Sequence, residues 1–255
     1  MQYKIVYSFS FICLISALNV ARGQNLYGMV KTEKGFWMNQ TEITNNEYRQ
    51  FLKDLEKEQK ELMLPDTSVW DQLQGFTDPM KKYYFEHPAY DNYPVVGVSF
   101  EQAVAFCSWR TEAYNAEHEQ KLKFNLPTQK EWEDAAFCNF IGEDVLQFAG
   151  CWGSAYDFSR KKKTLSKFNF NFRQKDFGME FIDGAIFTSA VDQYPSDVNG
   201  FNDLCGNVAE MTQTRGLALG GSWFHGSEYG TKGKYLNYDE PTPWLGFRCI
   251  AKFEQ

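Results

Sequence analysis

Apolar residues recur at helical spacing in three places along the chain, and a polar start signal precedes each run. Tyr48, Phe51, Leu52 and Leu55 follow Thr44-Asn45-Asn46-Glu47. Ala103, Phe106 and Cys107 follow Ser99-Phe100-Glu101-Gln102, and Trp132, Ala135 and Ala136 follow Thr128-Gln129-Lys130-Glu131. A Ser or Thr three residues ahead of Glu or Gln lets each side chain satisfy the other's backbone N–H at a helix start. The pattern predicts three helices that bury those apolar residues. The first is expected to continue through the charged stretch Lys53 to Glu61 as a solvated extension, until Leu64-Pro65-Asp66 stops it.

Beyond Ala136 the helical spacing fades into chain rich in Gly, Asn, Asp and aromatics, with short apolar runs such as Phe181-Ile182 and Ala185-Ile186-Phe187. So long an irregular stretch needs an anchor to be compact. An aromatic content of 17% supplies one, because each ring buries a large area and can pin a loop to a core. Disulfides and bound metal ions are the other usual supports. No internal repeat, coiled coil or low-complexity linker divides the chain.

The first 23 residues break from this pattern. Lys4 precedes the apolar run Ile5 to Leu18, and Ala21-Arg22-Gly23 offers a small-x-small cleavage site before Gln24. This is the layout of an export signal. The run is interrupted by Ser8, Ser10 and Ser16 and is shorter than a bilayer-spanning helix. Cys13 follows Phe11-Ile12, not the small residues of a lipid-attachment signal. The expectation is a cleaved leader, residues 1–23, and a single domain, residues 24–255, exported to a periplasmic or extracellular compartment without membrane insertion.

Loss of Lys4 and Arg22 takes Lys+Arg from 26 to 24 against 33 Asp+Glu, a net charge of −9. Such a chain is a poor partner for nucleic acid or an anionic membrane surface. Its one basic cluster, Lys161-Lys162-Lys163, reads as a solvated loop. Five cysteines stay in the mature chain: Cys107, Cys138, Cys151, Cys205 and Cys249. In an oxidising compartment they favour two disulfides and one thiol left over.

The helix starts and the glycine-rich turns fall into ordered blocks. These are Phe36 to Asn45, Tyr93 to Ser99 with Ala105-Phe106-Cys107-Ser108-Trp109, Leu126-Pro127-Thr128-Gln129-Lys130-Glu131-Trp132-Glu133, Gly206-Asn207-Val208-Ala209-Glu210, Gly220-Gly221-Ser222-Trp223 and Gly246-Phe247-Arg248-Cys249. Together they resemble the formylglycine-generating (sulfatase-modifying factor) family over residues 36–251. The resemblance implies an α+β fold, an elaborated C-type-lectin-like domain with little regular secondary structure. A narrower likeness lies upstream. Leu64 to Trp70 and Tyr84 to Asp91, leading into Tyr93 to Val98, are similar to the gliding-motility and type IX secretion lipoproteins. This chain departs from those in lacking a lipid-attachment cysteine and in being shorter.

The family's oxidases carry two copper-binding cysteines just after the Gly-Gly-Ser turn, and here those places hold His225 and Gly230. No cysteine lies between Cys205 and Cys249, so no copper is expected. One imidazole opposite a glycine is not a two-ligand site, and His225 reads instead as a half-buried histidine bonded to a neighbouring carbonyl. A serine nucleophile at Ser222 would need a His–carboxylate relay, and nothing in the sequence marks the acid.

The resemblance also implies two structural calcium sites, built from hard oxygen ligands. One would use Asn169 and Asp183 with the carbonyls of Phe170 and Ala185; the other would use Asp203 and Glu210 with the carbonyls of Gly206 and Val208. It implies a Cys107–Cys249 disulfide as well. Cys138 matches a family disulfide whose usual partner is missing, so Cys151 becomes its expected partner and Cys205 a buried free thiol.

The function expected on these grounds is non-catalytic. The chain would be a pseudoenzyme acting as a binding or assembly module for a protein partner in a bacterial cell envelope, linked to type IX secretion or gliding machinery. Tyr229, Tyr235 and Tyr238, set among Gly and polar residues, are the expected contacts beside His225. The alternatives are an oxidase of protein cysteine and a calcium-dependent carbohydrate-binding module, for which a glycan would be the partner.

Overall fold

In the computed structural model, residues 26, 28–73, 77–137, 171–172, 185–197, 199–230 and 232–254 are described. The leader, the lysine cluster, Cys138, Cys151, Asn169, Phe170 and Asp183 lie outside the described residues.

All three start signals cap helices. Thr44 Oγ1 accepts from the Glu47 N–H at 3.2 Å while Glu47 accepts from the Thr44 N–H at 2.8 Å, opening α1 (Asn45–Lys53). The exchange between Ser99 and Gln102, at 3.2 and 2.7 Å, opens a helix over Phe100–Glu117. Thr128 and Glu131 repeat it at 3.2 and 2.8 Å ahead of Gln129–Phe137. The predicted inward residues Tyr48, Phe51, Leu52, Ala103, Phe106, Cys107, Trp132, Ala135 and Ala136 are all buried.

One helix prediction needs correction. Instead of running on, α1 stops at Lys53 and the chain restarts as α2 (Lys57–Met63). Leu55 turns into the core between them, and Asp54 caps the break, its N–H bonded to the Phe51 carbonyl and its carboxylate accepting from Trp109 Nε1 at 3.0 Å. Solvation of the extension is as expected, since α2 buries no residue. A further short helix, α3 (Asp78–Tyr83), precedes α4 (Phe100–Glu117) and α5 (Gln129–Phe137).

Among the described residues the strands are short and form two four-stranded sheets. The first joins β1 (Met29–Lys31), β2 (Trp37–Asn39), β3 (Leu122–Asn125) and β8 (Ile250–Phe253), in the spatial order β1-β2-β8-β3, all antiparallel. The second joins β4 (Ala209–Met211), β5 (Leu217–Leu219), β6 (Leu236–Asn237) and β7 (Leu245–Gly246), ordered β6-β5-β4-β7, with β4 and β7 parallel. Successive side chains of β2 enter different cores, as a period of two requires. Trp37 joins a cluster with Tyr48, Phe51, Phe106 and Phe247, and Met38 one with Trp132, Phe172 and Phe201. In the first cluster Tyr48 stacks on Phe106 at 5.8 Å, and Phe51 and Phe247 meet the same ring edge-on at 5.7 and 5.4 Å. A third cluster, around Trp70, Tyr84, Val208 and Trp223, supports the glycine-rich turns. Among the described residues no helix is long and apolar enough to cross a membrane.

Phe106, at the centre of these ring contacts, should matter more than any cap. Phe106→Ala is expected to lower unfolding free energy by about 3–5 kcal/mol, and Ser99→Ala by about 1 kcal/mol. Urea titration of both variants measures the difference; equal losses would contradict the assignment of the core.

Candidate functional site

The segment after β5 is forced into place by two glycines with positive φ. A Cβ on Gly220 would lie 2.9 Å from the Leu204 carbonyl oxygen, and one on Gly221 would lie 2.6 Å from the Phe172 ring. The chain passes between them into Ser222, which is fully buried. Ser222 Oγ lies 2.7 Å from His225 Nδ1 and accepts from the Phe224 N–H at 3.2 Å, while the His225 N–H bonds the Ser222 carbonyl at 3.0 Å. These contacts close a tight turn and leave the hydroxyl no open face toward a substrate.

His225 sits half-buried among rings, edge-to-face with Trp244 at 4.6 Å and with Phe224 and Tyr229 at 5.4 Å each. Its place in the fold is that of a packed turn histidine, half-buried as expected, with its Nδ1 against the Ser222 hydroxyl where a carbonyl was expected. The second position is filled rather than merely altered. A Cβ at Gly230 would lie 2.6 Å from Cys205 Sγ and 2.9 Å from the Phe172 ring, closer than real Cβ contacts come. Any side chain there must displace a sulfur and an aromatic ring at once.

The predicted contacts separate on inspection. Tyr235 is 49% exposed and Tyr229 half-buried, but Tyr238 is only 8% exposed and belongs to the main core. Its position beside β6, with its N–H bonded to the Gly216 carbonyl, turns the ring inward, so it is no surface contact. Tyr235, one residue before that strand, keeps its exposure.

The cysteine assignments change too. Cys107 and Cys249 face each other with their sulfurs 3.3 Å apart, but both remain free, so the expected disulfide is not formed. Cys205 is not the leftover thiol: it is disulfide-bonded, to a partner outside the described residues. The elimination that paired Cys138 with Cys151 therefore no longer holds. It rested on separation along the chain, which says little about distance through a loop-rich fold.

Beneath this turn lies a buried group of charges. Arg248 uses all five of its N–H donors. Nε and Nη2 bind the Glu210 carboxylate at 2.7 and 2.5 Å, Nη2 also binds the Asn202 carbonyl at 2.9 Å, and Nη1 binds the carbonyls of Asn39 and Gln40 at 3.1 and 3.0 Å. Trp132 Nε1 donates to the same Glu210 carboxylate at 2.8 Å. Both carboxylate oxygens of Glu210 thereby accept from Arg248 or Trp132.

Asp203 differs, for among the described residues neither of its carboxylate oxygens has a hydrogen-bond partner, and Oε2 of buried Glu42 has none. Glu42 Oε1 accepts from Asn207 Nδ2 at 3.1 Å. Burial pushes the Glu42 carboxyl well above its usual range; the Asp203 charge adds to the push and Arg248 opposes it. Burial likewise raises Asp203, against Arg248 and with Glu210 and Asp192. Orphaned carboxylate oxygens of this kind suit a hard cation, and Asp203 belongs to the expected calcium set. Of the other expected calcium set, Ala185 alone is described, half-buried.

Glu42, Asn207 and Arg248 had no role assigned from the sequence and Trp132 only that of a buried helix residue, although each sits inside a quoted motif block. Polar residues in glycine-rich or aromatic blocks were the available signal.

Comparison with known proteins agrees with this architecture. The family described as "Sulfatase-modifying factor enzyme 1-like domain" matches residues 20–253. The chain belongs to this family. It is 24% identical over 265 residues to "Inactive C-alpha-formylglycine-generating enzyme 2" of Mus musculus, covering 86% of this chain and 76% of that protein. To the Bos taurus protein of the same name it is 27% identical over 175 residues, covering 62% of this chain and 50% of that one. Among solved structures, PvdO from Pseudomonas aeruginosa superposes with a TM-score of 0.58 at 17% identity, covering 88% of this chain and 82% of that one. Treponema denticola variable protein 1 gives 0.53 at 18%, covering 92% of each. At these identities the structural likeness shows the fold alone, and the α+β sulfatase-modifying-factor fold is the one expected from the sequence.

The filled second position gives a direct test. Gly230→Ala is expected to lower unfolding free energy by about 1–3 kcal/mol through overpacking, read from the urea midpoint. An unchanged midpoint would mean that the space beside Cys205 is open after all.

Proposed function

We propose that this chain is a non-catalytic member of the sulfatase-modifying factor family, working after export as a binding or assembly module of a bacterial cell envelope, in the setting of type IX secretion or gliding machinery. The observation that carries the non-catalytic part is the loss of room at Gly230, where a side chain would collide with Cys205 and Phe172. A two-thiolate copper site needs both positions, and the first is a histidine held by Ser222 and three rings. The mammalian relatives named above carry "Inactive" in their names, which supports the same reading here.

The envelope setting rests on the leader and on the blocks Leu64 to Trp70 and Tyr84 to Asp91. For binding, the half-exposed rings of Phe224, Tyr229 and Trp244 gather around His225 at the altered turn, and Tyr235 is exposed a few residues further along the chain. Aromatic side chains of this kind dominate interface energetics.

Two measurements bear on these parts. Purified protein is expected to show no tight copper(I) binding in chelator competition and no oxidation of a cysteine-containing peptide; copper-dependent turnover would contradict the reading. Immobilised protein should retain one envelope protein whose capture falls about fivefold or more on Tyr235→Ala or Tyr229→Ala, and equal capture by all three forms would count against these rings.

A further inference from the structure

The rings of the third cluster differ in kind from those of the first. Around Phe106, the rings of Phe51 and Phe106 stand between Tyr48 and Trp109, and phenylalanine resists oxidation. Around Trp70 the rings are tyrosine and tryptophan, which give up an electron far more readily, and they follow one another without a break. Tyr93 lies 5.1 Å from Tyr90, Tyr90 5.3 Å from Tyr84, Tyr84 5.0 Å from Trp70 and Trp70 6.5 Å from Trp223, centroid to centroid. Trp223 Nε1 donates to the Pro243 carbonyl at 3.1 Å, which sets Trp223 beside Trp244 in the same cluster. Both ends of this row are half-buried, at Tyr90 and Tyr93 and at Trp244, while Tyr84, Trp70 and Trp223 are buried between them.

Where an electron hole comes to rest along such a row depends on where a proton can leave, because a tyrosine radical is stable only once the phenol has lost its proton. Tyr84 faces no base. Its hydroxyl donates to the Pro94 carbonyl at 2.6 Å and accepts from Thr188 at 2.9 Å, and burial holds the phenol well above its usual range. The Trp223 indole N–H likewise faces a carbonyl, which accepts a hydrogen bond but not a proton. The interior rings therefore keep their protons and pass the hole on, with Tyr84 a bridge between Trp70 and Tyr90. Tyr90 and Tyr93 reach water, and the Tyr90 hydroxyl donates to the Met80 sulfur, a weak acceptor, at 3.6 Å. The row has its proton outlet at that end.

We propose that the row from Trp244 through Trp223, Trp70 and Tyr84 to Tyr90 and Tyr93 is an electron-hole relay, which carries one-electron oxidations from the altered turn to surface phenols. The oxidant is a radical of the peroxyl class that meets Trp244. It takes one electron from the indole and is reduced to its anion. Electrons then pass along the row toward Trp244, and Tyr90 or Tyr93 loses one electron and one proton to become a neutral phenoxyl radical. A thiol in solution restores the phenol by giving a hydrogen atom and becomes a thiyl radical itself. Without a thiol, two phenoxyl radicals join through a ring carbon–carbon bond, and the two ring hydrogens move to the oxygens. The rings at the turn are spared in either case. The relay goes beyond the binding role and does not depend on it.

Oxidation started from a fixed point tests the relay. Glu240 is exposed and lies shortly before Trp244 in the chain, so a Glu240→Cys form can carry a ruthenium polypyridyl complex there while buried Cys107 and Cys249 stay unlabelled. Flash oxidation of the complex with a cobalt(III) ammine quencher supplies the one-electron oxidant, and peptide mapping locates the oxidised residues. The expected products are oxidised or cross-linked Tyr90 and Tyr93, in a yield per flash independent of protein concentration. In a Trp70→Phe background those products should be lost and oxidation should collect at Trp244 and Trp223. Tyr114→Phe, a buried ring of the first cluster, should change nothing. Oxidation confined to Trp244, Trp223 and their neighbours in the labelled protein would overturn the proposal, as would an undiminished yield at Tyr90 and Tyr93 in Trp70→Phe. Trp223→Phe interrupts the same row and gives the same reading if Trp70→Phe fails to fold.

Discussion

The rest of the structure depends on the buried Arg248–Glu210 pair. Five donors on one planar group reach Glu210 at β4, the main chain at the end of β2 and the turn that carries Asp203. Short strands cannot fix such distant segments by backbone pairing alone, and among the described residues the ladders are two to four residues long. A buried ion pair of this kind gives little net stability against a hydrophobic replacement, but removing one partner strands a charge. Its value lies in register: Arg248 accepts only one arrangement of those carbonyls. Gly206, Asn207 and Val208 then lie where the Gly-Gly-Ser turn can bond to them, through the Gly206 N–H to the Gly220 carbonyl and the Trp223 N–H to the Asn207 carbonyl.

That turn carries the functional difference. In a fold whose oxidases place two thiolates after Gly-Gly-Ser, this chain places an imidazole that packs among rings and a glycine that makes way for a sulfur. The two changes reinforce each other. His225 gains Ser222, Trp244 and Tyr229 as neighbours, and Gly230 makes way for Cys205 and Phe172. The space at these two positions is occupied by packing, while the rings of Phe224, Tyr229 and Trp244 stay half-exposed.

Much of this was legible in the sequence. The capping boxes located three helices because a cap is local chemistry, set by residues three apart. The motif blocks located the fold because their order survives where sequence identity is low. Other features were hidden for the same physical reason in reverse. The break at Asp54 depends on Trp109, the burial of Tyr238 on the pairing of β6, and the disulfide of Cys205 on proximity that chain separation does not report. The partners of Glu210 lie 38 residues ahead and 78 behind. A carboxylate in a motif reads equally well as a metal ligand or as half of an ion pair until its neighbours are known.

The most direct test of the claim that packing has replaced chemistry is to return both thiols at once. In a His225→Cys/Gly230→Cys double variant, copper(I) affinity is measured by chelator competition together with the melting temperature. The account predicts no tight copper binding and a melting temperature below that of His225→Cys alone, because the side chain at 230 must displace Cys205 and Phe172. Stoichiometric, tight copper(I) binding with the wild-type melting temperature would contradict it.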